Sequence, residues 1–430
     1  MARIRPFRAL RPAEGKEAAV AALPYDVYSR AEAREKVKGD SLTFLGIDRP
    51  ETQFPPEQDM YAACVYQKGA EMLREMEKEG IFIQDEAACF YIYELTMDGQ
   101  AQTGLVACSA VDDYLSGVIK KHENTRRDKE EDRIRHVDAL SAQTGPIFLA
   151  YRAEDRIRQI LRRGKEAPAL ADGVRHRIWK IAEYDIIEEI TGIFGEISHT
   201  YIADGHHRAA SAVAVSVMRR EEHPDYTGEE EFNYFLSVLF PDDELRILDY
   251  NRVLKDLNGH TEEQILAAFR EAFTVGAPET APVRPAQKGE MGLCLGGCWR
   301  RLRVRPERVK TDPVGSLDVA YLQREILEPV FGIRDPKTDK RIDFVGGIRG
   351  LEELERRCRE DCAAAISLYP TSMEELFAVA DAGLLMPPKS TWFELQPCVV
   401  VGQVQVRQLQ DPLHAVDERA AVDIQLFRSL

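Results

Sequence analysis

Within five residues the chain presents an aspartate, a glycine, two histidines and an arginine: Asp204-Gly205-His206-His207-Arg208, set directly after Tyr201-Ile202-Ala203. These residue types suit an anion. A short apolar strand that runs through Asp-Gly into a helix ends on unpaired backbone N–H groups and a partial positive charge. Gly205 permits a tight turn and lets a ligand approach the backbone. Arg208 adds a planar charged fork matched to phosphate. His206 and His207 can donate hydrogen bonds, and either can carry a proton. Asp204 can cap the helix or hold a divalent metal beside the phosphate. Adjacent helical residues point about 100° apart, which argues against the two histidines sharing one metal. A capped helix with two surface histidines is the plainer alternative.

Two further segments carry chemistry. Lys120-Lys121-His122-Glu123-Asn124-Thr125-Arg126 offers Glu123 as a general base and lysines, Lys121 among them, to screen phosphate charge; a solvated charge run is the competing reading. Met386-Pro387-Pro388-Lys389-Ser390-Thr391 fixes an extended loop that presents Lys389 and Ser390 to an anion. A linker packed by Trp392 and Phe393 is its alternative. No P-loop, dinucleotide fingerprint after a strand, H-E-x-x-H or G-x-S-x-G is present.

The elements that must position these residues read as mixed α/β. Ser29 and Glu32 form a capping box for a helix over Arg30 to Val37, stopped by Gly39. Leu23-Pro24-Tyr25-Asp26-Val27 reads as extended. A helix is expected over 58–79, with apolar positions at Tyr61, Val65, Met72 and Met76. Cys89 to Leu95 and Gly104 to Cys108 read as a hairpin around Asp98-Gly99, with a loop longer than two residues. Glu130, Asp132 and Arg133 fall on a helix that ends at Thr144-Gly145-Pro146. Ile147 to Tyr151, Thr200 to Ala203 and Phe235 to Phe240 read as strands, and Arg208 to Arg220 and Glu262 to Phe273 as helices. Residues 277–288, rich in proline and small residues, read as a loop. The expected organisation is 1–241 as a phosphate-binding domain, 242–385 as a second α/β domain, and 386–430 as a closing loop and tail.

The whole chain bounds the function. Its 430 residues carry a net charge of −16, which argues against nucleic acid and anionic membranes as partners. No apolar run reaches the length of a membrane span, and the N-terminal residues do not read as a signal peptide. A cytoplasmic protein with reduced thiols is therefore expected. The eight cysteines include the pairs Cys294/Cys298 and Cys358/Cys362, whose three-residue spacing is wider than usual for zinc.

Four segments together resemble the family known as domain of unknown function 1015. They are Arg5-Pro6-Phe7-Arg8-Ala9 with Leu23 to Val27; Lys121 to Thr125 with Lys129-Glu130-Glu131-Asp132-Arg133; Ala203 to Arg208; and Met386 to Thr391. The Asp-Gly-His-His-Arg element is in turn similar to that of the ParB/sulfiredoxin-like superfamily, whose free-serine kinases carry the nearest version. The resemblance implies a ParB/sulfiredoxin-like core with a second α/β domain, and phosphoryl transfer to free L-serine. It implies pyrophosphate, ADP or ATP as donor, with Mg²⁺. Carried over, Asp204 sits at the metal or the acceptor hydroxyl. Gly205, His206, His207 and Arg208 cradle donor phosphates, with His207 also a catalytic candidate. Glu123, Asp26 and Asp204 are rival bases. A homodimer is among the assemblies expected. The alternative is a ParB-like nucleotide-binding regulator without kinase activity; a sulfiredoxin-like enzyme ranks last, because the element holds no cysteine. Ala209, where the family often has an aromatic, and the tail after Phe393 depart from the pattern.

Overall fold

Backbone pairing extends further than the apolar runs on either side of Asp98-Gly99. In the computed structural model, which describes residues 1–22, 25, 28–97, 100–166, 171–172 and 176–393, strands Phe90–Met97 and Gln100–Ala110 pair antiparallel as far as Met97 and Gln100. The expected longer loop is thus replaced by ladder. The polar residues from Gln100 to Thr103 keep register because the ladder is made of backbone groups. The Asp98-Gly99 turn, Asp26 with most of the Leu23 to Val27 segment, and the tail from Glu394 lie outside the described residues.

The described residues fall into two compact units. One comprises Met1–Lys120 and Thr125–Glu244. The other comprises Lys121–Asn124 and residues 245–393. The short Lys121–Asn124 segment joins the second unit, where the Met386 N–H donates to the His122 carbonyl at 2.8 Å.

The first unit is built on a nine-stranded sheet. Its order is Ile119–Lys120, Thr200–Asp204, Ile147–Tyr151, Tyr234–Pro241, Gln100–Ala110, Phe90–Met97, His176–Ile181 and Ala171–Asp172, with Ile4–Arg5 added to Gln100–Ala110. Two neighbouring pairs are parallel: Thr200–Asp204 with Ile119–Lys120, and Tyr234–Pro241 with Ile147–Tyr151. Every residue of Ile147–Tyr151 and Tyr234–Pro241 is buried, as strands covered on both faces must be. Phe90, Ile92, Leu105, Leu149, Ile202 and Phe235 share one core cluster with Ile190 and Phe194. Each large side chain buried there contributes about 1.5–3 kcal/mol.

Helices follow their local signals, with shifts at the ends. Arg30–Val37 carries the Ser29/Glu32 capping box. The helix expected over 58–79 is Ala63–Lys78. Its start is delayed because the Asp59 carboxylate accepts the Tyr61 N–H at 3.0 Å, a local turn that competes with helix. Arg127–Leu140 ends at Ser141, which takes a left-handed conformation at φ 48°, several residues before Thr144-Gly145-Pro146. The helix expected from Arg208 begins two residues earlier and spans His206–Glu222.

The second unit holds a six-stranded antiparallel sheet in the order Phe273–Glu279, Cys298–Val304, Glu290–Leu295, Ala364–Leu368, Tyr250–Leu254 and Ile342–Gly346. Phe273–Glu279 runs into the stretch expected to be loop. It is an edge strand with a register shift between Val275 and Pro278, a position where proline's missing N–H is tolerated. Cys294, Cys358 and Cys362 are packed in one apolar cluster with Val253, Trp299 and Leu354. All three are free thiols. Among the described residues no group of three His, Cys, Asp or Glu side chains could hold a metal ion, and no helix is long and apolar enough to cross a membrane.

Candidate functional site

The strand Thr200–Asp204 lies between Ile119–Lys120 and Ile147–Tyr151, and its pairing with the latter shifts register between Ile202 and Asp204. Gly205 follows at φ 89° and ψ 31°, and the His206–Glu222 helix starts at once. An L side chain is strained at that φ, by about 1–2 kcal/mol. Space adds a second constraint: a Cβ on Gly205 would lie 3.1 Å from Nε and Nη2 of Arg208. The guanidinium is thus laid against the bare backbone of the glycine, at the N-terminus of a 17-residue helix.

Two bonds hold that guanidinium. Arg208 Nη1 donates to the Pro146 carbonyl at 2.7 Å, and Nη2 donates to Asp204 Oδ2 at 2.9 Å. Among the described residues they use two of the five N–H donors of the fork. Of the two roles open to Asp204, capping the helix and holding a metal, the first is not taken: Gly205 is the N-cap residue, with no side-chain cap bond. The strand continues through Asp204, and its carboxylate turns to Arg208 one helical turn on. His206 is buried, whereas His207 is only partly so, as their divergent directions on a helix require.

Beside this junction is a small cleft that sequence reasoning did not anticipate as a unit. Its walls include Tyr25, Asp48, Arg133, His136, Thr144 and Arg208. Arg133 and His136 are three residues apart on the Arg127–Leu140 helix and share a face. Arg133 bonds Asp132 at 3.0 Å, lies 3.8 Å from Asp48 Oδ1, and stacks over the Tyr25 ring at 4.2 Å. Tyr66 donates its hydroxyl to Asp132 at 2.9 Å. Thr144 donates to Asp48 at 2.5 Å. His136 has no exposed surface. Its Nε2 lies 3.0 Å from the Ile47 carbonyl, and Nδ1 has no hydrogen-bond partner among the described residues. Burial, and then the nearby Arg133 charge, push its pKa down to about 3, so the ring is neutral. Because Nε2 faces a carbonyl, it holds the proton and Nδ1 is left as an acceptor. The i, i+3 spacing of Arg133 and His136 was the available signal; Asp48 and Thr144 gave none.

The remaining sequence-predicted residues, Lys121, Glu123, Lys389 and Ser390, belong to the second unit. Glu123 is partly exposed and faces Lys337 Nζ at 3.5 Å. Lys389 adopts a left-handed backbone at φ 58°, uncommon for a non-glycine residue. Its carbonyl accepts from the buried Arg252 at 2.9 Å, and its ammonium lies 5.8 Å from the Tyr250 ring centre. Ser390 is buried and donates to the Pro387 carbonyl at 2.5 Å, while its own carbonyl accepts from Thr371 at 3.1 Å. Its hydroxyl therefore braces the loop.

Residues 4–320 match the family described as protein of unknown function, DUF1015. The chain belongs to that family. No curated protein matches it. Similar solved structures include a free serine kinase in complex with AMP, 15% identical, covering 68% of this chain and 87% of that one at a TM-score of 0.34. SbnI with a C-terminal truncation, from Staphylococcus aureus, is 12% identical, with 67% and 82% covered and a TM-score of 0.35. A conserved hypothetical protein from Pyrococcus furiosus is 15% identical, with 70% and 95% covered and a TM-score of 0.33.

Proposed function

We propose that this DUF1015 protein is a small-molecule phosphotransferase that binds donor phosphates at the Asp204–Arg208 junction. The acceptor implied by the motif resemblance is the hydroxyl of free L-serine, and the product is O-phosphoserine. The observation that carries the reading is Gly205 in its left-handed conformation at a long helix N-terminus, with the Arg208 guanidinium laid over it. Backbone N–H groups, the helix dipole and a held guanidinium converge on one point, which is the arrangement phosphoryl transfer needs to stabilise charge. In the step, the acceptor oxygen bonds the transferred phosphorus, the bond to the leaving phosphate breaks, and the hydroxyl proton passes to a carboxylate.

Pyrophosphate, ADP and ATP are the candidate donors. Mg²⁺ commonly takes one or two protein carboxylates together with substrate phosphates and water, and the partly exposed Asp204 can supply one while Arg208 holds its other side. When bound, the ion neutralises phosphate charge. His206 and His207 lie in the first turn, where their backbone N–H groups serve the same anion. Glu123 and Asp204 stay rival bases; each faces a cation, Lys337 and Arg208 respectively.

The test is incubation of purified protein with L-serine, Mg²⁺ and, separately, pyrophosphate, ADP and ATP, read by mass spectrometry for O-phosphoserine. Product with one donor is the expected result. No product with any donor, while a nucleotide or pyrophosphate still raises the melting temperature, would replace the kinase with a nucleotide-binding regulator.

A further inference from the structure

We propose that the cleft between Tyr25, Arg133, His136 and Arg208 is the acceptor pocket, and that His136 Nδ1 accepts a hydrogen bond from an O–H or N–H of the acceptor. This rests on the phosphotransferase reading and adds to it a ligand class: a small molecule with one anionic group and at least one proton donor.

Three observations lead there. First, the residues that line the cleft include His136, which carries an acceptor atom left over among the described residues. His136 is completely buried, Nε2 is committed to the Ile47 carbonyl, and Nδ1 has no partner among the described residues. A buried acceptor left unsatisfied costs about 1–3 kcal/mol, and because His136 lines the cleft, a proton donor that enters and settles against the ring would recover it. Second, the cleft walls are charged in a pattern that suits a ligand of mixed polarity. Arg133 is already balanced by Asp132 and Asp48, whereas among the described residues Arg208 bonds one carboxylate, Asp204, and a carbonyl. An anionic group therefore goes to Arg208 and a proton donor to His136. Third, Arg208 belongs to both places. It lines the cleft and packs on Gly205 at the helix N-terminus. A molecule in the cleft thus sits one side chain away from phosphates held at the junction, which is the proximity a transfer between two bound partners requires. The neutral ring is too weak a base to take the hydroxyl proton, so its part is to position the acceptor.

The experiment is a pair of titrations on the full chain, wild type and His136→Leu, with L-serine and, separately, with pyrophosphate and Mg²⁺. The variant is expected to lose at least tenfold in L-serine affinity and to keep its pyrophosphate affinity within twofold. With O-phosphoserine formation followed by mass spectrometry the same split is expected: the KM for serine rises while the KM for donor is unchanged. Unaltered serine affinity in His136→Leu overturns the proposal, even if phosphoserine is formed and the kinase reading stands. Wild-type protein that binds pyrophosphate and not L-serine also overturns it. Should His136→Leu fail to fold, a crystal structure of wild type grown with L-serine decides. Serine within hydrogen-bond distance of Nδ1 supports the pocket; serine bound elsewhere, or an empty cleft at saturating serine, refutes it. Neither equilibrium titration requires turnover, so loss of the kinase reading and loss of the pocket register separately.

Discussion

Gly205→Ala probes the junction with the smallest possible change. The substitution adds one methyl group at φ 89°, where an L residue costs about 1–2 kcal/mol. That methyl also meets Nε and Nη2 of Arg208 at 3.1 Å, closer than carbon and nitrogen pack at ease, so the guanidinium must move by a few tenths of an ångström. Two consequences follow. Stability falls by about 1–2 kcal/mol, which for a unit of this size lowers the unfolding temperature by roughly 2–8 °C. The displaced fork also loses alignment with an anion at the helix N-terminus. A charge-assisted hydrogen bond is worth about 1.5–3 kcal/mol, so pyrophosphate affinity falls by roughly tenfold to a hundredfold. Calorimetric titration with pyrophosphate and Mg²⁺, beside a thermal melt, measures both. A variant with the expected drop in melting temperature and unchanged pyrophosphate affinity would show that the glycine serves the turn alone and that no anion approaches there.

Other outcomes follow from the same geometry. Arg208→Lys keeps the charge but cannot bridge Pro146 and Asp204 as the fork does; donor affinity is expected to fall about tenfold or more, read by the same titration. Arg133→Met removes a buried cation from Asp132 and Asp48 and is expected to destabilise the chain by about 3–5 kcal/mol in urea unfolding. His136 has a folded pKa of about 3, below its ordinary 6.5. Its contribution to stability is therefore present above pH 6.5 and is lost as pH falls from there towards 3, at about 1.4 kcal/mol per pH unit. The stability gap between wild type and His136→Leu should change with that slope between pH 6 and 4, and a gap independent of pH would contradict the neutral buried ring.

What could be read in the sequence was local. Ser29 and Glu32 announce their helix because both halves of the capping box lie within four residues. The Asp204 to Arg208 junction is legible for the same reason: strand, turn and helix start are contiguous. Its detail was not. Asp204 is a good capping residue by type, but whether it caps depends on the conformation of Gly205, which only the fold sets. Pro278 reads as loop until its strand is seen to lie at a sheet edge. The cleft was the least legible feature. Tyr25, Asp48, His136 and Arg208 come from four separate stretches of chain, and nothing in the spacing of Asp48 or Thr144 indicates that they meet Arg133.

The most direct measurement is calorimetric titration of pyrophosphate with Mg²⁺ into wild type and Arg208→Ala, with both proteins checked as folded by circular dichroism. Saturable binding to wild type, reduced at least tenfold in Arg208→Ala, is the result predicted for a phosphate site at the Asp204–Arg208 junction. Equal affinity in the two proteins, or no binding of pyrophosphate, ADP or ATP to wild type, would contradict it.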